Sequence, residues 1–133
     1  MTFVHGKSTY ISLNAIDISA FCNTSTFTRS ADSHDVTTFG SNAHKFQGGL
    51  LDGTSEIGGI YDNTTSGPRD VIEPLIGTNV TYVRRVEGTG SGLPQDSVEV
   101  LVTDYVETSP VADMVTWTAT LQLSGDVTST NQA

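Results

Sequence analysis

The residues of this sequence best equipped for chemistry are its histidines, its one cysteine and its scattered acids. His34 lies in Asp-Ser-His-Asp, between Asp32 and Asp35, and His44 follows ten residues on. Imidazole nitrogens beside carboxylates can hold a metal ion if the loop folds back on itself. The spacing matches no established ligand pattern, and polar loops collect Asp and His routinely. The stretch reads as a solvated or interface loop, with no metal and no cofactor expected.

Other candidates fare no better. Gly-Thr-Gly-Ser-Gly at 88–92 has no following Lys-Ser/Thr and no helix to receive a phosphate, so it reads as a flexible hairpin loop. Asp-Gly-Thr-Ser-Glu-Ile-Gly-Gly at 52–59 has its acids at the wrong offsets for a calcium loop. No serine is framed as Gly-x-Ser-x-Gly. Cys22, near a strand end, has the setting of a small core residue rather than a nucleophile. Paired carboxylates for glycoside cleavage want an aromatic-lined cleft, and aromatic residues are only 8% of the chain. No enzyme is expected.

The elements that must position these residues are mostly strands. Ser-Thr-Tyr-Ile-Ser-Leu alternates, slips phase at Asn14-Ala15 (a bulge or bend), and resumes through Ile16 and Ile18. Ser25 to Arg29 is a second strand, 30–35 a loop by composition, and Asp-Val-Thr-Thr-Phe extended chain. Residues 40–49 are a long polar loop. Leu-Leu-Asp-Gly-Thr-Ser-Glu-Ile-Gly-Gly-Ile-Tyr-Asp is a strand with glycines where curvature or close approach is needed. The one helix candidate runs through Gly-Pro-Arg-Asp-Val-Ile-Glu-Pro-Leu-Ile-Gly. Pro68 suits its first turn, Gly77 lies just past its end, and Pro74 keeps it short. Strands follow at 78–88, 97–107 and 115–125, and the polar tail 128–133 reads as frayed.

The 133 residues suit a single domain, 1–133, with an amino-terminal arm at 1–8. The fold class is mainly β: a β-sandwich or barrel-like subunit of six to seven strands, with one short flanking α-helix and a long loop. Charged residues are 16% of the chain, well under the usual quarter. Fifteen acids against six bases give a net charge of −9 and a pI near 4.4, which repels nucleic acid. A lone cysteine allows no intrachain disulfide. Neither a signal-peptide apolar stretch nor a membrane-length apolar run appears, so folding in the cytosol is expected.

The last strand sharpens the question. In Val-Thr-Trp-Thr-Ala-Thr-Leu-Gln-Leu-Ser-Gly, Val115, Trp117, Ala119, Leu121 and Leu123 make a core face. The opposite face is Thr116, Thr118, Thr120, Gln122 and Ser124, with no charge, although exposed strand faces usually carry Lys or Glu. The preceding strand should pair with it antiparallel. Its Val98, Val100, Val102 and Val106 share one face with Asp104. Ser97, Glu99, Leu101, Thr103, Tyr105 and Glu107 are expected beside the threonines. Such a surface is wet, smooth and slightly negative.

Two segments carry a resemblance. Residues 35–62, a loop leading into a strand that ends near Gly-x-Tyr-Asp, resemble part of the tail tube proteins (major tail proteins) of long-tailed, non-contractile bacteriophages. Residues 97–127 are similar to the carboxy-terminal strands of that family, with a Ser-Pro-Val-x-Asp connection before a strand of alternating Thr that closes with Ser-Gly. The likeness runs from about Ile11 to Val127; Met1 to Ser8 shows no family motif. It implies rings of six subunits, stacked into a tube that conducts the genome, each subunit lending strands to a continuous inner barrel. Thr116, Thr118 and Thr120 would then line the lumen with Glu99, Thr103 and Glu107, whose carboxylates keep DNA from sticking. The long loop, Asp32 to Gln47, would reach a neighbouring subunit or ring through His34, Asp35, His44, Lys45 and Phe46. The implied partners are further copies of the chain, a tail initiator or baseplate, a tape measure protein and a tail terminator. DNA passes without specific binding, no membrane is involved, and the virion tail is assembled in the host bacterial cytoplasm. The alternatives are a tail terminator or decoration protein, or a monomeric β-sandwich binding module for carbohydrate or a cell surface. In that module Tyr61, Tyr82 and Tyr105 would stack on the ligand.

Overall fold

The computed structural model describes residues 3–65 and 67–132. The first two residues of the expected arm and the last of the expected tail lie outside them. Among the described residues there are eight strands: β1 (Tyr10–Leu13), β2 (Ile16–Asp17), β3 (Thr24–Asp35), β4 (Phe46–Ile60), β5 (Asn79–Arg85), β6 (Pro94–Thr108), β7 (Thr116–Leu123) and β8 (Thr128–Asn131). They form one antiparallel sheet in the order β2-β1-β5-β6-β7-β4-β3, with β8 on β6.

Two short strands, β2 and β8, take the count to eight where six to seven were expected. Asn14 and Ala15 both have positive φ, 53° and 65°, and Leu13 pairs with Ile16. That is a two-residue hairpin turn, not a bulge, and it creates β2. The carboxy-terminal tail is not frayed: β8 pairs with Pro94–Ser97, and the Gln132 side chain donates to the Gly88 carbonyl at 2.8 Å. Backbone hydrogen bonds to a neighbour's edge hold a polar segment that hydrophobicity alone would release.

The sheet curls until its two halves face each other across the core. One layer is β3-β4-β7 with the second half of β6; the other is the first half of β6 with β5, β1, β2 and β8. Between them lie Trp117, Tyr82, Ile11, Leu13, Ile57, Leu121, Val100 and Val102, all almost fully buried. Cross-layer contacts fix the curl. The Ser55 hydroxyl bonds Tyr82 Oη at 2.9 Å, Phe27 packs its ring on Tyr82, and Arg84 Nε donates to Ser25 Oγ at 3.0 Å. The helix α1 (Pro68–Ile72) continues as a 3-10 turn, Glu73–Leu75, and buries Pro68, Val71 and Ile72. Gly77, at φ +84°, then reverses the chain, and its N–H donates to the Val102 carbonyl at 2.8 Å.

The segment 30–35 is strand, not loop. It pairs with 46–52 as the outer half of a long β3–β4 hairpin, exposed on both sides, with the loop confined to 36–45. A strand that buries neither face carries no hydrophobic alternation, so its sequence looks like loop.

Ser55 is fully buried and Tyr82 is its hydrogen-bond partner. Tyr82→Phe orphans that hydroxyl and is expected to cost about 1–3 kcal/mol by denaturant unfolding. The double variant with Ser55→Ala should recover part of the loss. Additive losses would show that the pair does not couple the layers.

Candidate functional site

The uncharged face of β7 belongs to a four-stranded surface. Directly paired residues share a face, so Thr116, Thr118, Thr120 and Gln122 are joined by Ile60, Gly58, Glu56 and Thr54 of β4. Through β4 they are joined by Thr24, Thr26 and Thr28 of β3. On β6, Leu101 and Glu99 lie on this face, followed by Asp104, Val106 and Thr108. The surface is hydroxyl-rich and has no Lys or Arg. Its carboxylates are Asp52, Glu56, Glu99 and Asp104, all exposed, and Asp52 accepts from the Gln122 side chain at 2.7 Å.

The sequence pattern of β6 fails beyond Val102. A register shift leaves Thr103 as an extra residue, so that Asp104 rather than Thr103 pairs with Thr120. Thr103 stays exposed and its hydroxyl donates to the Thr120 carbonyl at 3.0 Å. After the bulge the alternation is reversed. Tyr105 and Glu107 therefore turn away from the threonines: Tyr105 stacks on Trp117, and Glu107 pairs opposite Trp117. Glu107 is thus not on the threonine face. It accepts from Tyr105 Oη at 3.0 Å and stands near Arg69, whose guanidinium donates to Glu73 at 2.8 Å. Burial, then the Glu107 carboxylate, pushes the Tyr105 phenol above its ordinary range.

Two backbone edges of this layer are open. β3 ends the strand order and has β4 on one side only. On β6, β5 covers Asp96–Leu101, and Gly77 and Thr78 take the two backbone bonds of Val102. That leaves 103–108 unpaired on that side among the described hydrogen bonds. At the opposite end of the order the short β2 pairs only with Ser12 and Leu13 of β1, and beyond it the Ser19 hydroxyl bonds both the N–H and the carbonyl of Ile11, at 2.8 and 3.2 Å. Sequence reasoning expected edges to be shared but missed which ones, because nothing local announces where β5 stops.

The expected contact residues all lie on the outer hairpin. His34 pairs opposite Gln47 and Asp35 opposite Phe46. The His34 ring lies over Gly49, where a Cβ would meet Nε2 at 2.6 Å. His44 Nδ1 approaches Asp35 at 3.6 Å and its ring lies near that of Phe46. Thr37 hydrogen bonds hold the Asp35 carboxyl below its usual range. Lys45 donates its backbone N–H to the Thr37 hydroxyl at 2.8 Å. Among the described residues, no three His, Cys, Asp or Glu side chains gather to hold a metal. The hairpin instead exposes Phe39, Phe46, Leu50 and Leu51, the last two 80% and 74% accessible. Of the tyrosines suited to stacking on a ligand, Tyr82 is buried and Tyr105 is stacked on Trp117.

No protein-family model matches the chain, and no curated protein does. Solved structures do. The chain is similar to one in the virion of a native gene transfer agent particle, with a TM-score of 0.81 at 12% identity, over 96% of this chain and 99% of that one. A chain in the tail of an empty gene transfer agent particle of C6 symmetry matches with a TM-score of 0.77 at 12% identity, over 96% and 99%. A chain of the SPP1 tail tube matches with a TM-score of 0.78 at 12% identity, over 98% of this chain and 80% of that one. The fold is therefore one shared with the SPP1 tail tube chain and with chains of gene transfer agent particles. It is shared at a level of identity where only architecture is retained.

Cys22 packs partly buried against the core, and burial, then the Asp17 charge, pushes its thiol up to about 12. It is therefore protonated at neutral pH and a poor nucleophile. In native protein at pH 7–8, labelling with a thiol reagent should be at least tenfold slower than after unfolding. Labelling at equal rates would place the thiol in water.

Proposed function

We propose that this chain is a tail tube subunit, a structural virion protein that assembles into six-membered rings stacked as a conduit for DNA. The observation that carries this reading is a four-stranded layer, wet and free of cations on one face, whose two outer strands are both open at the edge. Strand direction alternates across the layer, so β6 of one copy meets β3 of the next antiparallel, and the contact repeats without a break. Six copies close a barrel of 24 strands. At ~4.8 Å spacing and ~40° tilt its backbone circle is about 48 Å across, room for a duplex with water around it.

In that barrel Thr116, Thr118 and Thr120 line the lumen with Glu56, Glu99, Thr103 and Asp104, while Glu107 belongs to the contacts around α1. Four carboxylates per subunit, Asp52 among them, give a ring a single-sign field that disfavours phosphate binding. The outer hairpin, with His34, Asp35, His44, Lys45 and Phe46, is the contact to a neighbouring subunit or ring. The role is structural rather than enzymatic. Its partners are further copies, a baseplate or initiator, a tape measure protein and a terminator, with assembly in the host bacterial cytoplasm.

Negative-stain microscopy and sizing chromatography across a concentration series test the class directly: rings or hollow tubes are expected, and a strict monomer counts against it. Thr118 is exposed on a strand, so Thr118→Lys should change subunit stability by less than about 0.5 kcal/mol. It should nonetheless slow DNA ejection by adding a ring of positive charge, and unchanged ejection would move Thr118 out of the lumen. Deleting 41–44 from the hairpin loop should leave the subunit's thermal unfolding intact while suppressing polymerisation. Polymerisation at the wild-type concentration would remove the hairpin from the contact.

A further inference from the structure

A groove of about 480 Å³ opens where the two layers meet beside the start of β3. Its apolar wall is made by Ile11, Cys22 and Val86, with Asn23 at one side, and it carries two of the chain's six cationic residues, Lys7 and Arg84. Arg84 is positioned by its 3.0 Å bond to Ser25. In a chain of net charge −9, two cations above an apolar floor favour an apolar segment that brings a carboxylate.

The chain carries such a segment, and it is exposed. Between β6 and β7 the connection 109–114 is exposed at every residue. It holds Val111, fully accessible, Met114, 64% accessible, and Asp113 between them. The connection turns at 111–112, and the Asp113 carboxylate accepts from the adjacent Met114 N–H at 2.8 Å. An apolar pair this exposed on a tight, ordered turn suits burial against a partner.

We infer that the 109–114 connection of one subunit docks into this groove on the next. The inference rests on the tube reading, because strand direction supplies the geometry. The open stretch 103–108 can add to β3 only along its outer edge, antiparallel. Thr108 therefore comes to the beginning of β3, and the residues after it run on past Thr24 toward Asn23 and Cys22, the mouth of the groove. Val111 and Met114 meet Ile11, Cys22 and Val86, while Asp113 meets Lys7 and Arg84. The same step that pairs the edges seats the connection, so each interface is a strand addition locked by an apolar plug and a charge pair.

The test introduces Asn23→Cys and Val111→Cys, both at exposed positions, into the full chain carrying Cys22→Ala, which removes the native thiol from the groove, and oxidises assembled protein with copper phenanthroline. A disulfide needs Cα atoms within about 7 Å. The expected result is a covalent ladder ending at six subunits, with neither single variant giving it. In parallel, Asp113→Lys, remote from the core, should raise the concentration needed for assembly at least tenfold at low salt, with a smaller effect at high salt. Tubes that form normally in both variants, with no ladder, overturn the docking while leaving the tube reading standing. A wild-type chain that never forms rings or tubes overturns both.

Discussion

The length of β6 is the constraint on which the rest of the structure depends. Its fifteen residues serve both layers. The first part is clasped by β5 and β8, the second lies against β7, and no neighbour in the subunit is long enough to cover both edges throughout. One strand built into two layers forces the sheet to curl, and the curl encloses Trp117 and Tyr82 between the halves. It also leaves backbone donors and acceptors at 103–108 without partners, groups that water satisfies in the monomer and a second chain can satisfy in an assembly.

The bulge at Thr103 sits where the strand passes from one duty to the other. Up to Val102 the valines point to the core and the carboxylate of Glu99 to water. Past the bulge, Tyr105 takes the core side and stacks on Trp117, and Val106 is left facing out. Without the extra residue, Val106 would meet the core and Tyr105 the threonine face. The bulge thus places an aromatic where α1 must be held, in contact with Glu107 near Arg69, and keeps Tyr105 off the threonine face.

These details separate what the sequence made legible from what it did not. The faces of β7 and the first half of β6 were readable because each buries one side, which imposes period two. The helix boundaries were readable because Pro68 and Gly77 have positional meaning. The outer hairpin was not, since strands wet on both sides have no pattern to display, and 30–35 passed for loop. Nor was β8, a four-residue polar strand held by edge pairing alone. Among the candidate site residues, Thr116, Thr118, Thr120 and Glu99 share one face as the alternation implied, but one inserted residue carried Glu107 to the other side. Glu56 entered that face only through the β4–β7 register, which no local pattern encodes. Such long-range pairings are set by the whole fold.

Charge placement follows the same division of faces. Arg29 and Arg84 lie over the Phe27 ring, Arg85 over Tyr10, and Arg69 pairs with Glu73, all off the threonine face. Guanidinium groups settle on aromatic rings and carboxylates, which holds Arg29 and Arg84 over Phe27 on the inner side, Arg85 over Tyr10 on the outer face of the other layer, and Arg69 against Glu73. The threonine face is left with hydroxyls, carboxylates and a few apolar side chains. A long exposed edge beside an uncharged face would ordinarily invite indiscriminate strand addition, and the usual defence is lysine on the strand itself. Here that defence is absent from the face, and the net charge of −9 takes its place. Mutual repulsion opposes every random approach equally, whereas the antiparallel meeting of β3 with 103–108 proposed for the assembly would return backbone hydrogen bonds along six residues. Selectivity then comes from geometry acting against a uniform repulsive background, and no cation is needed on the face itself.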